Sequence, residues 1–277
     1  MRRMTPITAQ LLSVCLAFGA LPAGSAEQNH HIVALTKVAS NPEVHSDMHT
    51  KEKPMNLNST DELATALDAR QQAIIPISAA AAAGDMARLG EAVNHGLDAG
   101  LSVAEAREIL VQVYAYAGFP RSLNALGEMM KVVDARRQRG IHDEAGREPV
   151  KPIPKGDALL AAGTANQTTL AGAPVAGPLF EFAPQANAYL QTHLFGDIFE
   201  RDNLDWQSRE LATVSMLAAM SGVEPQLQSH VGISMNIGVS VEQLRELADV
   251  LDARFDPQAA TRAREAIERQ LDSLRTE

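Results

Sequence analysis

The chain has 277 residues, 45% of them hydrophobic and 21% charged, an ordinary balance for a soluble globular protein that excludes a disordered or fibrous one. Aromatics make up only 4%, with long Ala- and Leu-rich stretches, which disfavours a β-sandwich or barrel and makes helices the expectation. With 24 Lys and Arg against 34 Asp and Glu the net charge is −10, and no basic run offers an electrostatic footprint for nucleic acid.

In chain order, Arg2 and Arg3 precede an apolar stretch from Leu11 to Leu21 and the small-residue site Ala23-Gly24-Ser25-Ala26. This pattern predicts a signal peptide over residues 1–26, cleaved near Ala26, and a periplasmic or secreted mature protein. Cys15, the sole cysteine, lies inside that stretch, and Val14 spoils a lipobox there. The mature chain is therefore expected to have no thiol, which rules out disulfides, Cys-ligated zinc and cysteine nucleophiles. No later stretch is apolar enough to span a bilayer. Residues 27–58 are polar and lack a helical period, so they are read as a flexible linker. His30, His31, His45 and His49 fall there at irregular spacing; no metal is assigned to them.

Helical signals begin with a capping box at Ser59-x-x-Glu62, followed by an apolar run to Gly84 in which Pro76 is expected to kink the helix. A second helix is predicted from Met86 to Ala99, before Gly100, and a third is capped by Ser102-x-x-Glu105 and stops near Gly118. Pro120 opens a fourth that runs to about Arg139. Residues 141–183 are rich in Gly, Pro, Ala and Thr and read as a long connection wrapping a neighbouring repeat or subunit. Five more helices are predicted: Pro184 to Glu200, Asp205 to Ser221, Glu224 to Asn236, Val241 to Asp252 and Pro257 to Arg275.

Shifting the chain against itself by 138 positions superposes Ala80, Ala81, Gly84, Leu89, Gly100, Ser102, Val103, Arg107 and Glu108 on Ala218, Ala219, Gly222, Leu227, Gly238, Ser240, Val241, Arg245 and Glu246. The matches concentrate at helix stops and caps. Two tandem all-α repeats are therefore expected, over residues 59–140 and 184–277.

The unit Arg209-Glu210-Leu211-Ala212-Thr213-Val214, with Gly222, Leu227, His230, Asn236-x-Gly238 and an acidic helix after it, resembles the carboxymuconolactone decarboxylase domain, a relative of the alkylhydroperoxidase D family. Tyr114 to Leu126 in the first half resembles the same domain in a secreted tandem form. The resemblance implies an all-α fold and a homo-oligomeric ring, a trimer or hexamer. Family peroxidases use a Cys-x-x-Cys pair activated by a Glu–His relay; here Ser221-Gly222-Val223-Glu224-Pro225-Gln226 has no sulfur, so peroxide reduction lacks its nucleophile.

Glu210 and His230 remain as the candidate catalytic pair, a carboxylate fixing the tautomer of an imidazole. The alternative is a polar bridge between helices. At the corresponding positions of the first repeat stand Gln72 and Ala92, which favours a site over scaffolding. Arg121, at the start of a helix, and Arg209 are candidate clamps for a carboxylate or oxyanion, with Tyr116 and Asn236 as further substrate-binding candidates. Tyr114 and Tyr116 lie roughly 200° apart on a helix, so they cannot both face one pocket, and an interface role is the other reading. His193, Asp197 and Arg201, four apart, are expected to form a ladder at a surface or interface. The expected activity is cofactor-free and metal-free acid–base chemistry, a decarboxylase or a lactone-directed lyase or isomerase acting on a small anionic compound. A non-enzymatic binding protein of the same fold is the alternative.

Overall fold

A computed structural model of the chain describes residues 66–276, and within them there is no strand. The expected signal peptide, the expected linker with its four histidines and the Ser59-x-x-Glu62 box lie outside the described residues.

The first repeat consists of α1 (Ala69–Ala83), α2 (Met86–Asp98), α3 (Val103–Ala117) and α4 (Phe119–Gln138). An inserted segment carries α5 (Asp157–Ala171), the short α6 (Pro178–Phe182) and α7 (Pro184–Tyr189), and a π-helix over Leu190–Ile198. The second repeat is α8 (Trp206–Ala218), α9 (Glu224–Asn236), α10 (Val241–Arg254) and α11 (Pro257–Thr276). The 138-residue shift carries α2 onto α9 and α4 onto α11 with both ends in register.

Local chemistry sets these ends. Ser102 and Ser240 accept from the backbone N–H groups of Glu105 and Gln243, whose side chains reach back in capping boxes. The described part of α1 starts at a further box, Asp68 with Gln71, and the helix continues through Pro76. Gly84 ends α1 at φ 77°, a left-handed position that costs glycine little.

Helices α1 and α8, which correspond in the two repeats, pack against each other at the centre. Both are buried over most of their length, as their alanines and aliphatics require. Leu67, Ile75 and Ala79 join the core built by α8–α11, while Ala212 and Met216 of α8 join the core of α1–α4. The two halves therefore share one interior, and each supplies the central helix that the other covers.

The connection expected over 141–183 carries helices of its own. Residues Asp157–Ala171 are helical, and Gly163 within them faces the π-helix. A Cβ at Gly163 would stand 1.7 Å from the Gln191 carbonyl oxygen, so the glycine is there for close approach of two backbones. The single helix expected from Pro184 to Glu200 is instead α7 followed by the π-helix, where Phe199 N–H reaches back five residues to Leu194 O. Helix α5 packs on the π-helix and on α9, so the segment does lie over the second repeat.

Candidate functional site

Glu210 sits in the first half of α8 and His230 in the middle of α9, two helices that pack together. His230 Nδ1 lies 2.7 Å from Glu210 Oε2. Glu210 is fully buried, whereas the His230 side chain retains 11% exposure. The Nδ1 hydrogen directed at the carboxylate leaves Nε2 as the atom available for proton exchange, and Nε2 takes no hydrogen bond among the described residues.

Tyr116 comes to this pair from α3 of the first repeat. Its ring meets the His230 ring edge-on with centroids 5.4 Å apart. Burial, and then the Glu210 charge, push ionisation of the phenol well above its ordinary range, so it is a donor at any working pH. The Thr213 hydroxyl opposes this slightly, but it is engaged by Gln112 Nε2 and Arg209 O and forms no hydrogen bond of ordinary geometry with Tyr116. Among the described residues, both the Tyr116 hydroxyl and Glu210 Oε1 are buried without a partner.

The other candidates are placed elsewhere. Arg209 is fully buried, and its Nη2 donates to Glu108 Oε1 at 2.8 Å and to Arg201 O at 3.0 Å, while Nη1 donates to Gln112 Oε1 at 3.1 Å. Arg121 lies over the end of α1, where Nη1 donates to Ala82 O at 2.7 Å and packs on Gly84. Arg262 does the same for α8 through Ala218 O, which marks this as a way of closing the central helices. Asn236 Nδ2 donates to Leu170 O at 3.1 Å and ties α9 to the end of α5. The structure thus joins Glu210, His230 and Tyr116 and engages Arg121, Arg209 and Asn236 in helix-end or interior contacts.

Tyr114 turns the other way along α3, as the helical angle demands. Its hydroxyl meets His193 Nε2, and His193 Nδ1 lies 2.7 Å from Asp197. Burial and the Asp197 charge raise the Tyr114 phenol to about 12. Arg201 does not continue the His193–Asp197 pair into a ladder. It forms a two-pronged contact with Glu108, at 2.8 and 3.0 Å from Nε and 2.9 Å from Nη2.

Glu108 is the residue that the sequence reading missed. It appeared there only as a repeat identity with Glu246, yet it is 2% exposed and accepts from Arg201, Arg209 and Asn203. Burial works to raise its ionisation, but the Arg201 hydrogen bonds and the Arg209 charge hold it below the usual carboxylate range. A polar residue one turn from Ala104 and one turn from Gln112, on the face that packs on α8, was the available signal.

With this geometry established, comparison with known proteins decides the family. The carboxymuconolactone decarboxylase family profile matches residues 51–129 and 184–269, together more than half of the chain. The chain belongs to that family. One matched region covers most of the first repeat and the other runs from α7 through most of the second, as tandem copies of one domain. No curated protein matches the chain.

Proposed function

We propose that this member of the carboxymuconolactone decarboxylase family is a cofactor-free acid–base enzyme acting on a small carboxylated or lactone-type compound, with decarboxylation as the favoured reaction. The single observation behind this reading is the buried Glu210–His230 contact, which has no counterpart at Gln72 and Ala92 in the other repeat. A fold that can be built without the pair keeps it once.

In a decarboxylation the bond from ring carbon to carboxylate breaks, CO2 leaves, and the electron pair passes into the conjugated lactone carbonyl. His230, protonated, then delivers a proton from Nε2 to carbon while Glu210 steadies the imidazolium through Nδ1–H. Proton transfer of this kind is worth about 10²- to 10⁴-fold in rate. A lactone isomerase would use the same two residues. Arg209 does not serve this reading as a clamp, because its buried guanidinium is engaged by Glu108, Gln112 and Arg201; Arg121, which is exposed, donates to Ala82 O through Nη1 at the end of α1.

The reading includes export after cleavage near Ala26 and assembly into a closed homo-oligomer. Support for assembly comes from α4, where Phe119, Leu123 and Met130 are 60%, 62% and 63% exposed along one stripe. The corresponding residues of α11 are Pro257, Thr261 and Glu268, so the apolar stripe is peculiar to one half.

One observation favours the binding-protein alternative: Glu210 is fully buried, and among the described residues the side-chain hydrogen bonds of the pair run only between Glu210 and His230. A metabolite thermal-shift screen on the mature protein, followed by turnover of each hit in Glu210→Gln and His230→Ala, separates the two. The enzyme reading expects a hit that is converted by the wild type and by neither variant. A hit bound equally by all three and converted by none supports the alternative.

A further inference from the structure

The two unpartnered atoms beside His230 have complementary chemistry. Glu210 Oε1 belongs to a carboxylate and accepts only, while the Tyr116 phenol, held protonated by its surroundings, has a hydrogen to give. Both are shut off from bulk solvent, and folded proteins leave few buried polar atoms in that condition without water or a ligand. Side chains from different repeats bring them to the same imidazole, Tyr116 on α3 and Glu210 on α8.

We propose that Tyr116 and Glu210 together hold a single hydroxyl group, with the Tyr116 O–H donating to its oxygen and its own hydrogen directed to Glu210 Oε1. A carbonyl oxygen would satisfy Tyr116 and leave the carboxylate unpaired. An ammonium would satisfy the carboxylate and leave the phenol unpaired. A hydroxyl serves both. The hydroxyl comes either from a buried water or from a substrate that is itself an alcohol or enol, and in both cases it lies against His230.

The other repeat shows that this arrangement is not forced by the fold. Positions corresponding to Tyr116, Glu210 and His230 are Arg254, Gln72 and Ala92, and Gln72 Nε2 donates to Leu67 O and Glu246 Oε1 at 3.1 and 2.9 Å. None of these three counterparts is among the buried side-chain atoms left without a partner in the described residues. The inference rests on the reading of Glu210 and His230 as the working pair, and it adds the functional group that the site must recognise.

The test combines an atomic-resolution crystal structure of the ligand-free mature protein with binding of matched acids, lactate against propionate and malate against succinate, to wild type and Tyr116→Phe. If the group is water, the structure contains one ordered solvent molecule bonded to both Tyr116 and Glu210, and it is gone in Tyr116→Phe. If the group belongs to the substrate, the hydroxylated acids bind at least ~10-fold more tightly than their deoxy partners, and Tyr116→Phe abolishes the preference. A Tyr116 O–H bonded directly to Glu210, or neither ordered solvent nor hydroxyl preference, overturns the proposal. His230→Ala distinguishes the two levels: hydroxyl binding retained with turnover unchanged removes the acid–base reading and leaves the hydroxyl site standing.

Discussion

His230 Nδ1 and Glu210 Oε2, 2.7 Å apart across α8 and α9, form a contact that the first repeat replaces with Ala92 and Gln72, although helices α2 and α9 correspond residue for residue. The same helices thus carry a buried Glu–His pair in one repeat and a Gln and an Ala in the other.

Stability measurements on that pair should be asymmetric. Glu210→Gln keeps a hydrogen-bonding group against Nδ1 and is expected to cost about 1 kcal/mol. His230→Ala leaves a fully buried carboxylate without its partner, and about 3 kcal/mol or more should be lost. In the double variant the buried charge is gone, so its loss should fall below the sum of the two. Chemical denaturation of the four proteins checks this, and strict additivity would mean that the contact contributes nothing as a pair.

Much of this architecture is legible in the sequence because it is set locally. Ser102, Gly100, Gly84 and their partners 138 residues on are caps and stops, whose geometry needs only neighbouring residues. The inserted segment was not legible, because Gly163 has two opposite meanings: a loop breaker by composition, and a point of backbone contact once Gln191 is in place. Arg209 and Glu108 were opaque for a related reason. Nothing in either stretch shows that two charges 101 residues apart neutralise each other inside the fold. Within the candidate site, Glu210 and His230 came forward through the family resemblance and the comparison of the repeats, the helical angle separated Tyr114 from Tyr116 without saying which one faces the pair, and the orphaned atoms exist only in three dimensions.

The Glu108 cluster should govern acid stability. Its folded-state ionisation lies below the ordinary carboxylate value of 4.5, so the unfolded chain binds the extra proton first. Its contribution is therefore fully present above about pH 4.5 and is lost as the pH falls through the lower folded value. Glu108→Gln should flatten this part of the stability profile. At neutral pH it leaves Arg209 buried beside a neutral group, so roughly 3–5 kcal/mol should be lost. Urea titrations between neutral and acid pH supply both numbers, and an unchanged acid slope would remove Glu108 from this role.

Gly163→Ala offers a sign test. In an exposed helix the substitution would stabilise by roughly 1 kcal/mol through propensity alone. Here the new methyl collides with the Gln191 carbonyl, so a net loss of roughly 1–3 kcal/mol is expected, with the damage confined to the α5 and π-helix contact. Thermal melts give the sign, and amide exchange gives the location.

Export predicts a defined product. The mature protein should begin at Glu27, with no free thiol, since Cys15 leaves with the signal segment. Intact mass of the periplasmic or secreted fraction checks both, and retention of residues 1–26 there would contradict the assignment.

The most direct test of the acid–base account follows solvent deuterium. With a panel of small lactones and unsaturated carboxylated lactones in D2O, proton NMR reports whether deuterium enters at carbon. The wild type should incorporate deuterium at the carbon that loses CO2 or shifts its double bond. Both His230→Ala and Glu210→Gln should slow this by at least ~100-fold while remaining folded. Incorporation at the wild-type rate in folded His230→Ala would contradict the account.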